Sequence, residues 1–181
     1  MSTESQHPIE RALSLAQLPE RLEGWRVLAV GDVGAARTHL EELGATGFTV
    51  LEEPSEGADL GEGGFDLALC GSEAGGGIHP LSLYTWLRQA LTDKGILVAG
   101  SRVLPDPKLS QYARFVPGAA PASARWVPGR LAFRWMVEVS AFDLVTWLDD
   151  GDGATETQAY LQARAVEREP ALDLARQPLG R

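Results

Sequence analysis

Two glycines, a pair of acids and a histidine are the residues of this chain whose types and spacing suit binding chemistry. Gly31 and Gly34 bracket Asp32 and Val33 directly after the apolar run Val27-Leu28-Ala29-Val30, and a helical stretch opens at Ala35. Glycine backbone lets a ligand approach closely, and a helix start presents unpaired N–H groups. Glu52 and Glu53 close the next apolar run, Phe48-Thr49-Val50-Leu51, where a carboxylate can accept from ribose hydroxyls. Strand, glycine turn, helix, strand and acid together make the layout of a nucleotide-binding βαβ unit. Cys70, Gly71 and Ser72 leave a third apolar run, Phe65 to Cys70, and lead into Gly75-Gly76-Gly77. His79, Tyr84 and Tyr112 are the groups that could position or accept a proton near that edge. His79 also precedes Pro80, so a plain helix-start role competes with a chemical one. No catalytic dyad and no metal-ligand spacing emerges, and the catalytic residue stays unassigned.

These residues need elements to hold them. The predicted strands lie near 26–30, 48–51, 65–70, 95–100, 143–148 and 155–165, with the last antiparallel to its neighbours. Residues 8–24 read as a leading helix, with Ile9, Leu13, Leu15, Leu18 and Leu22 at roughly helical spacing and Pro19 marking a break. A helix from Ala35 to Leu43 stops at Gly44. Another starts at Pro80, turns Leu83, Trp86, Leu87, Ala90 and Leu91 inward, and ends at Asp93-Lys94-Gly95. Between Glu53 and Phe65 there is room for a loop but not for a further helix and strand, so one βα unit is shortened; Asp59 and Leu60 fall in this loop. Residues 101–129 hold Pro105, Pro107, Pro117, Pro121 and Pro128, which precludes a long regular element. That segment carries Arg102, Tyr112, Arg114, Phe115 and Trp126, an aromatic and basic set suited to a pocket wall or to a simple cap. A helix over Gly129–Val139 should bury Leu131, Trp135, Met136 and Val139. Asp149-Asp150-Gly151-Asp152-Gly153 is a hairpin turn signal between the final two strands.

Composition bounds the alternatives. The 181 residues are 44% apolar, enough for one domain with a full core. The division is a helical lead-in at 1–24, one α/β domain at 25–166 and a polar, flexible tail at 167–181. A net charge of −9, with only 16 Lys and Arg, argues against a nucleic-acid surface. No run approaches the length of a membrane span, no secretory signal opens the chain, and the single cysteine excludes an internal disulfide. Cytoplasmic location is the expectation.

The order of elements resembles the class I S-adenosylmethionine (SAM)-dependent methyltransferases, over about residues 25–165. The resemblance is carried by Val27-Leu28-Ala29-Val30-Gly31, by Phe65-Asp66-Leu67-Ala68-Leu69-Cys70, and by Leu87 to Val98 with its Asp93-Lys94-Gly95 turn. Tyr112-Ala113-Arg114-Phe115 and Trp126-Val127-Pro128-Gly129 are similar to a subgroup containing the tRNA wobble-uridine carboxymethyl-transfer enzymes. The implied fold is Rossmann-like: a mostly parallel sheet flanked by helices and closed by an antiparallel C-terminal hairpin. The implied cofactor is SAM. Gly31, Asp32 and Gly34 would line its methionine end, Glu52 and Glu53 its ribose, and Asp59, Leu60, Cys70, Gly71 and Ser72 its adenosine. His79, Tyr84, Arg102, Tyr112, Arg114 and Trp126 would face the acceptor, a small molecule or other non-protein group. The chain departs from the family at Ala29, where an acid is usual, and at Val33, where a glycine is usual and a branched side chain would meet the ligand. These departures keep a second reading open: a non-catalytic methyltransferase-like binding subunit, working as a homodimer or with a partner protein, to which Trp25, Trp86, Trp126, Trp135 and Trp147 could lend apolar surface.

Overall fold

The computed structural model describes residues 8–51, 64–71, 78–104, 113–116, 125–150 and 157–167. Their elements run α1 (Pro8–Leu15), β1 (Arg26–Val30), α2 (Ala36–Glu42), β2 (Gly47–Leu51), β3 (Phe65–Cys70), α3 (Pro80–Ala90), β4 (Leu91–Val103), β5 (Ala113–Val116), β6 (Arg125–Pro128), α4 (Arg130–Val139), β7 (Phe142–Asp149) and β8 (Thr157–Ala165). Six strands form one sheet in the order β2-β1-β3-β4-β8-β7. The first four are parallel, and β8 pairs antiparallel with both β4 and β7. The fold class read from the sequence is the one observed.

Strand periodicity divides the core into two layers. Leu28, Val30, Ala68, Cys70, Leu97 and Ala99 point to the side covered by α3 and α4. Val27, Ala29, Leu67, Leu69 and Val98 point to the side covered by α1 and α2. The parallel strands bury both faces, which explains their nearly unbroken apolar sequences. β7 keeps its phase through a bulge. Leu144 opposes Ala163 and Thr146 opposes Gln162, so the extra residue Val145 returns Trp147 to the side of Leu161 and Phe133.

Several features differ from expectation. The leading helix ends at Leu15, well before residue 24. α3 ends at Ala90, and Leu91 is already extended, so Asp93-Lys94-Gly95 belongs to β4 rather than to a helix terminus. There the ladder advances two residues from Phe65 to Leu67 but five from Leu91 to Ile96. Gly95 fits this irregularity because a Cβ would lie 2.8 Å from the Cβ of Leu91. The proline-rich segment also contains a short ribbon, β5 paired antiparallel with β6.

On α4 the buried face is Ala132, Phe133, Met136 and Val137. Leu131 and Trp135 are exposed, correcting their assignment to the core face. Among the described residues no helix is long and apolar enough to cross a membrane.

Candidate functional site

β1 feeds α2 and β2 on one side, whereas β3 returns to pair on the other side of β1. The strand order therefore reverses between β1 and β3. In open α/β sheets a crevice forms at such a switch point, beyond the carboxyl ends of the strands. Gly31, Asp32, Gly34, Cys70 and Gly71 all lie there.

The turn after β1 is shaped by glycines in the left-handed region, with φ of 82° at Gly31 and 52° at Gly34. Gly31 donates its N–H to Leu51 O at 2.8 Å, tying the turn to the end of β2. Gly71 donates to Val30 O at 3.3 Å, and a Cβ there would lie 3.2 Å from Asp32 O. The two strand ends thus approach backbone to backbone.

Asp32 is exposed, and its Oδ1 accepts the N–H of Gly34 at 2.9 Å. Val33 corrects the expectation that its side chain would meet the ligand. It is only 8% exposed and packs with Ile9, Ala36 and Leu40, so its side chain is taken up by the core. Ala29 is fully buried in mid-strand.

Cys70 lies at the edge through its backbone, while its thiol is buried on the α3–α4 side. Burial there pushes its pKa up to about 12, which makes the thiol a poor nucleophile. Tyr84 was expected to face an acceptor and does not. It is 3% exposed and packs on Phe133 with 5.7 Å between ring centroids. Its place on α3 one turn from Leu81 and Leu87 puts it on the helix's buried stripe.

His79 and Trp126 are brought together. Their rings meet edge to face, 5.0 Å apart and inclined at 63°. His79 is the N-cap of α3, and its Nδ1 accepts the N–H of Leu81 at 3.2 Å. The neutral ring then carries its proton on Nε2, and burial lowers its pKa. β6, which carries Trp126, is anchored just beyond the end of β4. Leu104 donates to Pro128 O at 2.9 Å, and Arg130 donates to Leu104 O at 3.0 Å.

Arg102 sits half-buried near the end of β4, and Arg114 belongs to β5. Glu52, Glu53, Asp59, Leu60, Ser72 and Tyr112 lie outside the described residues. Sequence reading missed Glu10, whose Oε1 accepts the N–H of Ala35 at 2.9 Å. A contact spanning 25 residues leaves no local signal.

The described edge presents two left-handed glycines, a side chain turned away into the core, and an exposed carboxylate beside them. Among the described residues no cluster of His, Cys, Asp or Glu could hold a metal ion.

No protein-family model matches the chain, and no curated protein sequence matches it. Solved structures do. A candidate S-adenosylmethionine dependent methyltransferase from Listeria monocytogenes superposes with a TM-score of 0.65 at 9% identity, covering 87% of this chain and 97% of that one. The 1,6-didemethyltoxoflavin-N1-methyltransferase of Burkholderia thailandensis, solved with 1,6-didemethyltoxoflavin and S-adenosylhomocysteine, gives 0.60 at 15% identity over 80% and 72%. The [4+2]-cyclase SpnF gives 0.52 at 11% identity over 87% and 79%. The chain thus has the Rossmann-like fold of these proteins.

Proposed function

We propose that the chain binds SAM at the switch point between β1 and β3 and transfers its methyl group to a small-molecule acceptor. The observation that carries this reading is the turn itself. Left-handed Gly31 and Gly34, with Val33 folded into the core, leave a backbone surface facing the sheet edge. Fold likeness to methyltransferases adds support, although SpnF, by its description a cyclase, is a reminder that this fold does not dictate one reaction.

In this reading Gly31, Asp32 and Gly34 hold the methionine end, and Glu52 or Glu53 accepts from the ribose. Asp59, Leu60, Gly71, Ser72 and the backbone of Cys70 border the adenosine. When bound, the sulfonium supplies an activated methyl group, so the protein's task is to align the acceptor rather than to perform acid–base chemistry. His79, Arg102, Tyr112, Arg114 and Trp126 form the acceptor side. His79 enters as an N–H donor through Nε2, because Nδ1 is engaged in capping α3. The finer likeness to the wobble-uridine carboxymethyl-transfer subgroup rests on residues 112–115 and 126–129. The domain is taken as 25–166 with a lead-in at 1–24.

Calorimetric titration with SAM and S-adenosylhomocysteine tests the reading. Micromolar binding is expected, weakened by roughly 1.5–3 kcal/mol in a Glu52→Ala, Glu53→Ala double variant if charged hydrogen bonds to ribose are lost. Undetectable binding of both compounds would reject it.

One observation favours a second reading, a non-catalytic binding subunit. Ala29 offers no acid to an ammonium group at the end of β1. Binding without methyl transfer to any acceptor would place the protein there.

A further inference from the structure

α2 has no side-chain cap of its own. Its N-cap is Ala35, which can make none, and the helix is only two turns long. Glu10 of α1 instead holds the N-cap residue itself, accepting the N–H of Ala35 through Oε1. Beyond the other end of α1 the chain is clamped by a buried amide. Gln162 Oε1 accepts the N–H of Gln17 at 2.7 Å, and its Nε2 donates to Gln17 O at 3.2 Å. Gln162 is 1% exposed. On α1 itself Ile9, Ala12 and Leu13 pack into the cluster that contains Val33, Ala36 and Leu40.

We infer that Glu10 is a positioning residue: held in place by α1 and the Gln162 clamp, its carboxylate fixes the Gly31–Gly34 turn and couples ligand binding at the sheet edge to docking of the N-terminal helix. The ligand half of this inference rests on the cofactor reading above. A helix this short does not sustain itself in water, so its first turn depends on outside support. That first turn continues directly from Gly34. The buried clamp is the fixed point, while Glu10, partly open to solvent, is the contact that solvent can replace.

The test uses the full chain, nitrogen-labelled, as native protein and as Glu10→Ala and Glu10→Gln variants. Amide exchange is followed by NMR, and S-adenosylhomocysteine is titrated by calorimetry. Glu10→Ala should speed exchange at Ala35 about tenfold, the size expected for a lost cap. Glu10→Gln should keep most of the protection, because its amide oxygen still accepts, and exchange in β1 and β3 should not change. S-adenosylhomocysteine affinity should fall several-fold in Glu10→Ala and recover in Glu10→Gln. Unchanged exchange at Ala35 in Glu10→Ala, or equal loss in both variants, would overturn the inference. Absence of binding to the native protein would reject the cofactor reading, and the exchange pattern would still decide whether Glu10 holds the turn.

Discussion

His79 and Trp126 meet edge to face across the gap between the start of α3 and the ribbon β5–β6, with 5.0 Å between their ring centroids. The contact ties a residue that follows β3 to one that follows β4, and so closes one side of the edge where the parallel strands end. It also constrains the imidazole's protonation. Nδ1 must stay unprotonated to accept from Leu81, and burial opposes the charged ring.

Stability should therefore depend on pH through His79. Its folded-state pKa lies below the ordinary value near 6.5, so the unfolded chain binds the proton more readily. The contribution is complete above about pH 6.5 and is lost as pH falls toward the folded pKa. Thermal melts between pH 7.5 and 5 should show Tm falling on acidification. His79→Asn, which keeps a capping acceptor but does not titrate, should flatten that part of the profile. An identical slope in both proteins would assign the pH dependence elsewhere.

Cys70 should resist thiol reagents. It is the only cysteine, it is buried, and its pKa is raised to about 12 by burial. A disulfide reagent at pH 8 should leave the native protein unlabelled over minutes and modify one thiol per chain in denaturant. Rapid labelling of the native state would mean that the end of β3 opens readily.

Replacing Gln162 should loosen the lead-in from the sheet. Gln162→Leu keeps the apolar bulk but strands the N–H and C=O of Gln17, both satisfied by the buried amide. Destabilisation of about 1–2 kcal/mol is expected from the loss of two part-buried hydrogen bonds. Urea unfolding measures it, and early proteolytic cleavage within residues 8–18 should accompany the loss.

The readable parts of this fold are those where one local pattern decides. β3 comes out at Phe65–Cys70 as expected, because a continuous apolar run bounded by turn residues suits a strand buried on both faces. The terminal antiparallel pair is visible from its turn residues. Other parts depend on partners far along the chain. Asp93-Lys94-Gly95 looks like a helix terminus, yet pairing with β3 draws Leu91 straight into β4. β5 and β6 are four residues each among prolines, too short for any period to register. Tyr84 was named for the chemistry of its hydroxyl, whereas helical phase places it with Leu81 and Leu87. The glycine turn at the end of β1 was legible as a turn. Glu10, which completes the turn from another element, was not.

The family-like pair of changes at the turn, Ala29→Asp with Val33→Gly, gives the last prediction. The resemblance alone implies that an acid and a glycine at these positions would strengthen SAM binding. The packing argues otherwise. Ala29 is fully buried among Val27, Leu67, Leu69 and Val98, on the layer facing α1 and α2. A carboxylate there would have no cation among the buried residues of that cluster, and an uncompensated buried charge costs about 3–5 kcal/mol. Val33 fills the space beside Ile9 and Leu40, so its removal should cost about 2–3 kcal/mol of apolar burial. Together these losses rival the whole stability of an ordinary domain. Urea denaturation should show both single variants destabilised, with Ala29→Asp the worse of the two. The double variant should be largely unfolded at 25 °C and should bind SAM no better than native protein. A folded double variant with tighter SAM binding would mean that the turn rearranges to bring residue 29 to the ligand, against the burial seen here.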